Sequence, residues 1–212
     1  MAYDLEEQEQ LANFKAFWNQ YGQFLLTVVT VVLLAIAGWR AWGWYQAREA
    51  AAAAVIYEQL QVAAKSKDMD KVKAVSGTLF EKHGGTAYGP MGALLAAKIY
   101  FDAGDLKAAR APLQWVIDKA DDEEFKHLAR IRLAGVLLDD KAYDEGLKLL
   151  AADPPARYLS AYADRRGDLL LAQGKAEEAR AAFKTALEKA EPNSPMRRVL
   201  QLKLDALGGT GS

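Results

Sequence analysis

Cysteine is absent from the 212 residues of this chain. Its absence excludes a disulfide framework, a thiol nucleophile and a zinc–thiolate site. Histidine is nearly absent too. His83 and His127 are the two present, and neither has a partner at metal or catalytic spacing. Both read as solvated helix ends. No sign of charge dominates, since 27 Lys+Arg stand against 28 Asp+Glu for a net charge of −1. A near-neutral chain carries no electrostatic footprint for nucleic acid. No polybasic cluster flanks its apolar run to select anionic lipid. Proline is scarce, at 6 residues, and the apolar alternation of strands is missing after residue 45. Alanine is abundant, so the composition is that of an all-α protein. There is no G-x-S-x-G, P-loop, H-E-x-x-H or EF-hand loop. Gly84-Gly85 and Gly89-Pro90-Met91-Gly92 punctuate helices, with no strand ahead to make a phosphate cradle. The acidic run Asp121-Asp122-Glu123-Glu124 complements a helix dipole. With no catalytic constellation, metal site or cofactor motif, the chain reads as non-enzymatic.

What it does have is one long apolar run, Phe24 to Tyr45. Up to Trp39 it carries no charge, and only Thr27 and Thr30 interrupt it. As a helix it reaches about 33 Å, enough for a hydrocarbon core of about 30 Å. Trp39, Arg40, Trp42, Trp44 and Tyr45 close it as an interfacial belt, with Arg40 snorkelling. Before it, residues 1–23 form an acidic start and an amphipathic stretch that sets Trp18 and Tyr21 at the other interface. A buried core helix would keep a polar face. A cleaved signal peptide would begin with a short basic region, whereas Asp4, Glu6, Glu7 and Glu9 precede this run. A transmembrane helix over 24–45 is the reading that remains.

Residues 46–207 read as helices separated by glycine or polar turns, and residues 208–212 as a flexible tail. The predicted helices are Gln46–Lys65, Met69–His83, Tyr88–Ala103, Leu106–Lys119, Glu123–Leu138, Tyr143–Ala151, Ala156–Gln173, Lys175–Ala190 and Pro195–Leu207. The turns Lys67, Gly104, Lys141 and Gly174 are spaced by 37, 37 and 33 residues, close to the tetratricopeptide (TPR) period of about 34. Small and large residues recur in matching slots. Gly167, Leu170, Ala179 and Phe183 in the last repeat correspond to Ala97, Tyr100, Ala109 and Leu113, and to Ala134, Leu137, Gly146 and Leu150. The first repeat fits less well, with Ser76 where an apolar residue belongs. The expected fold is thus one N-terminal transmembrane helix followed by a TPR-like α-solenoid of about four helix pairs plus a capping helix. The first helix of each pair would line a concave, partner-binding groove bearing Met91, Leu94, Lys98, Phe101, Leu128, Ile131, Leu138, Asp164, Asp168 and Leu171. Either a partner segment or the chain's own last helix would fill it.

Taken together, these features resemble the YfgM-like ancillary subunits of the bacterial SecYEG translocon. The likeness rests on the acidic start with Phe17 and Gly22 and on Gly38-Trp39-Arg40-Ala41-Trp42. It extends to Ala87-Tyr88-Gly89, Ile131-Arg132-Leu133-Ala134 and Ala163-Asp164-Arg165-Arg166-Gly167-Asp168. The resemblance implies a single-pass inner-membrane protein with a cytoplasmic N-terminus and a periplasmic repeat domain. Its partners would be SecYEG, a PpiD-type membrane-anchored periplasmic chaperone, newly exported unfolded proteins and membrane lipid. Charge points weakly the other way, since Lys15 precedes the span while Arg40 and Arg48 follow it. From the architecture alone, a membrane-tethered TPR scaffold or regulator of an envelope signalling or assembly pathway, without client binding, is the alternative.

Overall fold

Nothing between Ala2 and Ser66 breaks a helix, and the computed structural model carries helix α1 over all of Ala2–Ser66. The amphipathic start and the apolar run are therefore one continuous element. The description covers residues 2–208; residue 1, the tail residues 209–212 and the side chains of residues 2–6 and 8 lie outside it. Eight further helices follow: α2 (Met69–His83), α3 (Tyr88–Asp102), α4 (Leu106–Lys119), α5 (Glu123–Asp139), α6 (Tyr143–Leu149), α7 (Leu159–Ala172), α8 (Ala176–Lys189) and α9 (Met196–Ala206). No strand occurs among the described residues. The chain divides into one unit ending at Glu49 and one beginning at Ala50.

The start of α7 departs from expectation at a proline pair. The segment after Pro154-Pro155 opens with a 3-10 turn, Ala156–Tyr158, before α7 begins. Pro155 is extended, and its carbonyl accepts from the Tyr158 N–H at 2.8 Å. Helix α4 has the expected bounds, Leu106–Lys119, with Pro112 in its interior. Pro90, by contrast, sits in the first turn of α3, where a missing N–H removes no helical bond.

The four turns within the pairs are one structure repeated. Lys67, Gly104, Lys141 and Gly174 all have positive φ, at 55°, 79°, 58° and 80°. After each, the next residue's N–H reaches back to a carbonyl five residues earlier: Asp68 to Ala63, Asp105 to Tyr100, Ala142 to Leu137 and Lys175 to Leu170. This is the left-handed helix stop with its long closing bond. In the first two turns the residue that closes one helix also starts the next. Asp68 accepts from the Lys71 N–H at 3.0 Å, and Asp105 accepts from the Ala108 N–H at 2.9 Å.

Close helix approach sets the packing of the second unit. A Cβ on Gly167 would lie within 3.0 Å of the fully buried Phe183 ring, and one on Gly146 would lie 2.9 Å from Leu169. The matching slots Ala97, Ala109, Leu113, Ala134, Leu137, Leu150 and Ala179 are all buried. The weak first repeat is also closed. Leu60, Ala63 and Val72 share one buried cluster with Ala96. Ser76 is buried, and its hydroxyl donates to the Lys73 carbonyl at 3.2 Å, so the polar atom is satisfied within its own helix. Between pairs, Arg110 of α4 bonds Asp140 at 2.5 Å and Glu145 at 3.3 Å.

His127 corrects the sequence reading. It is 6% exposed, inside α5 and not at a solvated end. It shares a 2.9 Å hydrogen bond with the Tyr162 hydroxyl and stacks on Tyr158 at 5.2 Å. Burial, then the charge of Arg130, hold its pKa below the usual histidine range, against a smaller opposing pull from Glu123. The sequence carried no sign of this, because both tyrosines lie in the next repeat.

Two predictions follow from these contacts. Lys141→Gly relieves a left-handed backbone worth about 1 kcal/mol and should raise Tm by about 2–4 °C, while Gly174→Ala should lower it; thermal melts followed by circular dichroism check both. His127 is neutral in the folded chain and protonates more readily unfolded. Its contribution is therefore complete above about pH 6.5 and is lost as pH falls through the depressed folded value. Stability measured by urea titration should drop from pH 7 to pH 5, and His127→Gln should flatten that slope.

Candidate functional site

Unpartnered side chains in the first unit lie on its helix surface. An 18-residue window of α1 has mean hydropathy 2.1 and is nowhere buried within the structure. The two threonines that interrupt it turn inward on their own backbone: Thr27 Oγ1 donates to Gln23 O and Thr30 Oγ1 to Leu26 O, both at 2.8 Å. Their hydroxyls are thus satisfied without water, as a hydrocarbon environment demands. Aromatic rings bracket the window. Trp18 lies across Gly22, where a Cβ would be 3.0 Å from the indole, and Phe17 packs on Tyr21 at 5.2 Å. On the far side Trp39, Trp42, Trp44, Tyr45 and Arg40 are all exposed, and Arg48 sits 5.7 Å over the Trp44 ring. From Tyr21 to Trp39 the helix rises about 27 Å, close to one hydrocarbon thickness.

In the second unit, the structure separates the ten residues expected to line a groove. Lys98 and Phe101 line a pocket of about 360 Å³ with Ala97, Asp102, Arg132, Gly135, Asp139 and Arg165. Ile131 and Asp164 line a second pocket of about 610 Å³ with Ser160, Ala161, Arg165 and Met196. Met91 and Leu171 are exposed outside both. Leu94 is buried in the core, and Leu128 and Leu138 are half-buried against core clusters. The expected face on α5 was 128, 131, 135 and 138; the pocket face is 132, 135, 136 and 139. The two faces share Gly135 and differ by a rotation of about 70°. Each first helix packs against the next pair as well as its own partner, and this second contact consumes the face that pairing alone leaves free.

Arg132, Asp139 and Arg165 were missed. For Arg132 and Asp139 the i+3 and i+4 spacing to Gly135 and Val136 was the signal available; Arg165 comes from α7 and had no local signal. Arg132 donates to the Leu94 carbonyl at 3.4 Å, and burial lowers its pKa. Arg165 lies beside Gly135, where a Cβ would be 3.4 Å from Cζ. The Lys98 ammonium pairs with Asp102 at 2.6 Å. The pocket is thus a charged-walled cleft with one aromatic side chain. Among the described residues no cluster suited to a metal ion occurs.

Comparison with known proteins gives this architecture its place. A tetratricopeptide repeat-like domain model matches residues 15–209. The ancillary SecYEG translocon subunit of Neisseria gonorrhoeae is 34% identical, over 98% of this chain and 100% of its own length. That of Escherichia coli is 28% identical, over 95% and 96%, and that of Aggregatibacter actinomycetemcomitans 27%, over 98% and 100%. No solved structure matches. The chain belongs to the ancillary SecYEG translocon subunit family. Its relatives carry the name of an accessory subunit and of no catalyst. Within this family's repeat domain, Asp168, the remaining predicted groove residue, shares with Asp164 a partner in its own chain. Lys203 of α9 bonds Asp164 at 2.6 Å and Asp168 at 2.7 Å. The last helix therefore covers the end of the α7 face, and Arg197 fixes it by donating to the Leu187 and Ala190 carbonyls at 2.8 and 3.1 Å.

Burial raises the Asp168 pKa, and the Lys203 hydrogen bond only partly offsets it. Lys203→Met should therefore leave Asp164 without its Lys203 partner and Asp168 with Arg165 alone, at 3.5 Å, and cost about 1–3 kcal/mol at pH 7. The raised pKa means that charged Asp168 opposes folding as pH rises through its folded value. The deficit should shrink as pH is lowered toward 4, which chemical denaturation at a series of pH values checks.

Proposed function

We propose that this chain is a membrane-anchored, non-enzymatic binding subunit of the SecYEG translocon. Its repeat domain faces the periplasm and hands newly exported polypeptides toward a PpiD-type membrane-anchored chaperone. The observation that carries the reading is the pairing, in one chain, of a belted membrane span with a helical array whose charged clefts stand open. Similarity to relatives named as translocon subunits, over essentially the whole chain, supports the location. Holding an open cleft beside the channel exit raises its effective concentration for emerging chain without tight binding. The charge count that favours the opposite orientation weakens once Arg48 is placed over Trp44, because such a charge belongs to the interface. The domain limits follow the same reading: residues 1–23 cytoplasmic and interfacial, 24–45 spanning, and 46–207 periplasmic.

The chain has no cysteine, so one introduced at the exposed Asp153 reports orientation alone. In intact spheroplasts, Asp153→Cys should react with a membrane-impermeant maleimide. Labelling that appears only after lysis places the domain in the cytoplasm and ends the proposal. A photo-crosslinking residue at Phe101 should capture channel subunits, a chaperone and many transient clients. A single dominant partner there would favour the tethered scaffold or regulator instead.

A further inference from the structure

A third cleft, of about 710 Å³, shares no residue with the two pockets above. It lies between α2 and α4, closed by Tyr100 of α3. Phe80 and Trp115 stack at 5.1 Å on its wall. Two residues that destabilise helices line it: Gly77 within α2 and Pro112 within α4. Internal glycine costs about 1 kcal/mol relative to alanine, and internal proline about 3 or more. Gly77 has no steric reason to be glycine, because a Cβ there would meet nothing within 4 Å, and its φ is not positive. Its effect is to leave the cleft open. Pro112 has no N–H to give the carbonyl of Ala108, which lines the same cleft. Pro112 is buried in α4, so packing accounts for its side chain; Gly77 has no such account, and a departure from local helix preference that packing does not explain is expected where a chain binds something.

We infer that this cleft is a second polypeptide-docking site, for an extended segment of a partner chain. Its occupant lays an apolar side chain over Gly77 against Phe80 and Trp115, and donates a backbone N–H to the Ala108 carbonyl. Extended chain is favoured over helix because a helix keeps its interior N–H groups for itself. Basic flanks are favoured because Asp70 and Asp105 outnumber Lys73 among the charged lining residues.

The full chain in phosphatidylcholine nanodiscs tests this, with empty nanodiscs as the blank. The probe is a fluorescent synthetic peptide, Lys-Lys-Val-Trp-Val-Lys-Lys, beside a version N-methylated at each Val-Trp-Val amide. Gly77→Leu fills the open space and removes a helix-weakening residue, so it should fold at least as well as the parent by thermal melting. It should weaken peptide binding about tenfold or more. N-methylation should weaken binding to the parent by about 2- to 10-fold, the worth of one hydrogen bond. Phe101→Ala, in the other pocket, should change it less than twofold. Binding by Gly77→Leu within twofold of the parent, or equal binding of the N-methylated peptide, overturns the assignment. So does loss of binding in Phe101→Ala with Gly77→Leu unaffected, which would return the peptide to the pocket of α3, α5 and α7.

Discussion

Each helix pair in this repeat domain carries more apolar surface than its own two helices can cover. The rest of the fold follows from that. Close approach at Gly167 against Phe183, and at Gly146 against Leu169, buries one side of a pair. Ala93, Leu94, Leu133 and Val136 bury the next side between pairs, in a cluster that runs from α3 to α5. Full burial of a large apolar side chain is worth about 1.5–3 kcal/mol, so pairing without stacking would forgo much of the available stabilisation. The array must then stop somewhere. At its C-terminal end α9 supplies Leu200 and Leu204 to the last core cluster, and Lys203 bridges the Asp164 and Asp168 carboxylates of α7.

The repeat was legible because its punctuation is chemical. Gly104 and Gly174 mark left-handed stops by residue type, and spacing then located Lys67 and Lys141, whose type gave no hint of a positive φ. The slots between the turns were legible for the same reason, since small residues and large ones alternate at contacts internal to a pair. Contacts between pairs were not. Leu94 looked like groove lining because pairing leaves it free, and stacking is what buries it. His127 looked solvated because Tyr158 and Tyr162, which enclose it, lie a repeat away. Local periodicity reports one neighbour per helix face, and in a stacked array most faces have two.

A helix long and apolar enough to cross a membrane was legible in the sequence, since a hydrocarbon layer asks for little beyond length, apolarity and satisfied backbone groups. Thr27 and Thr30 show how far that demand reaches, because their hydroxyls return to carbonyls of the same helix. Orientation is a separate matter. It depends on a small difference in flanking cations, and here those cations lie among aromatic rings.

Glycine serves two unlike purposes in this chain, and backbone geometry tells them apart. Gly104 and Gly174 are required by their turns, at φ 79° and 80°. Gly92, Gly146 and Gly167 are required by a neighbour's side chain. Gly77 meets neither requirement, yet it weakens α2 at the point where Pro112 weakens α4 across the same cleft. A fold stabilised by pair closure and stacking buries Pro112 but gains nothing from Gly77. Gly77 is therefore the feature that stacking physics leaves over, and a bound segment is what would give it a reason.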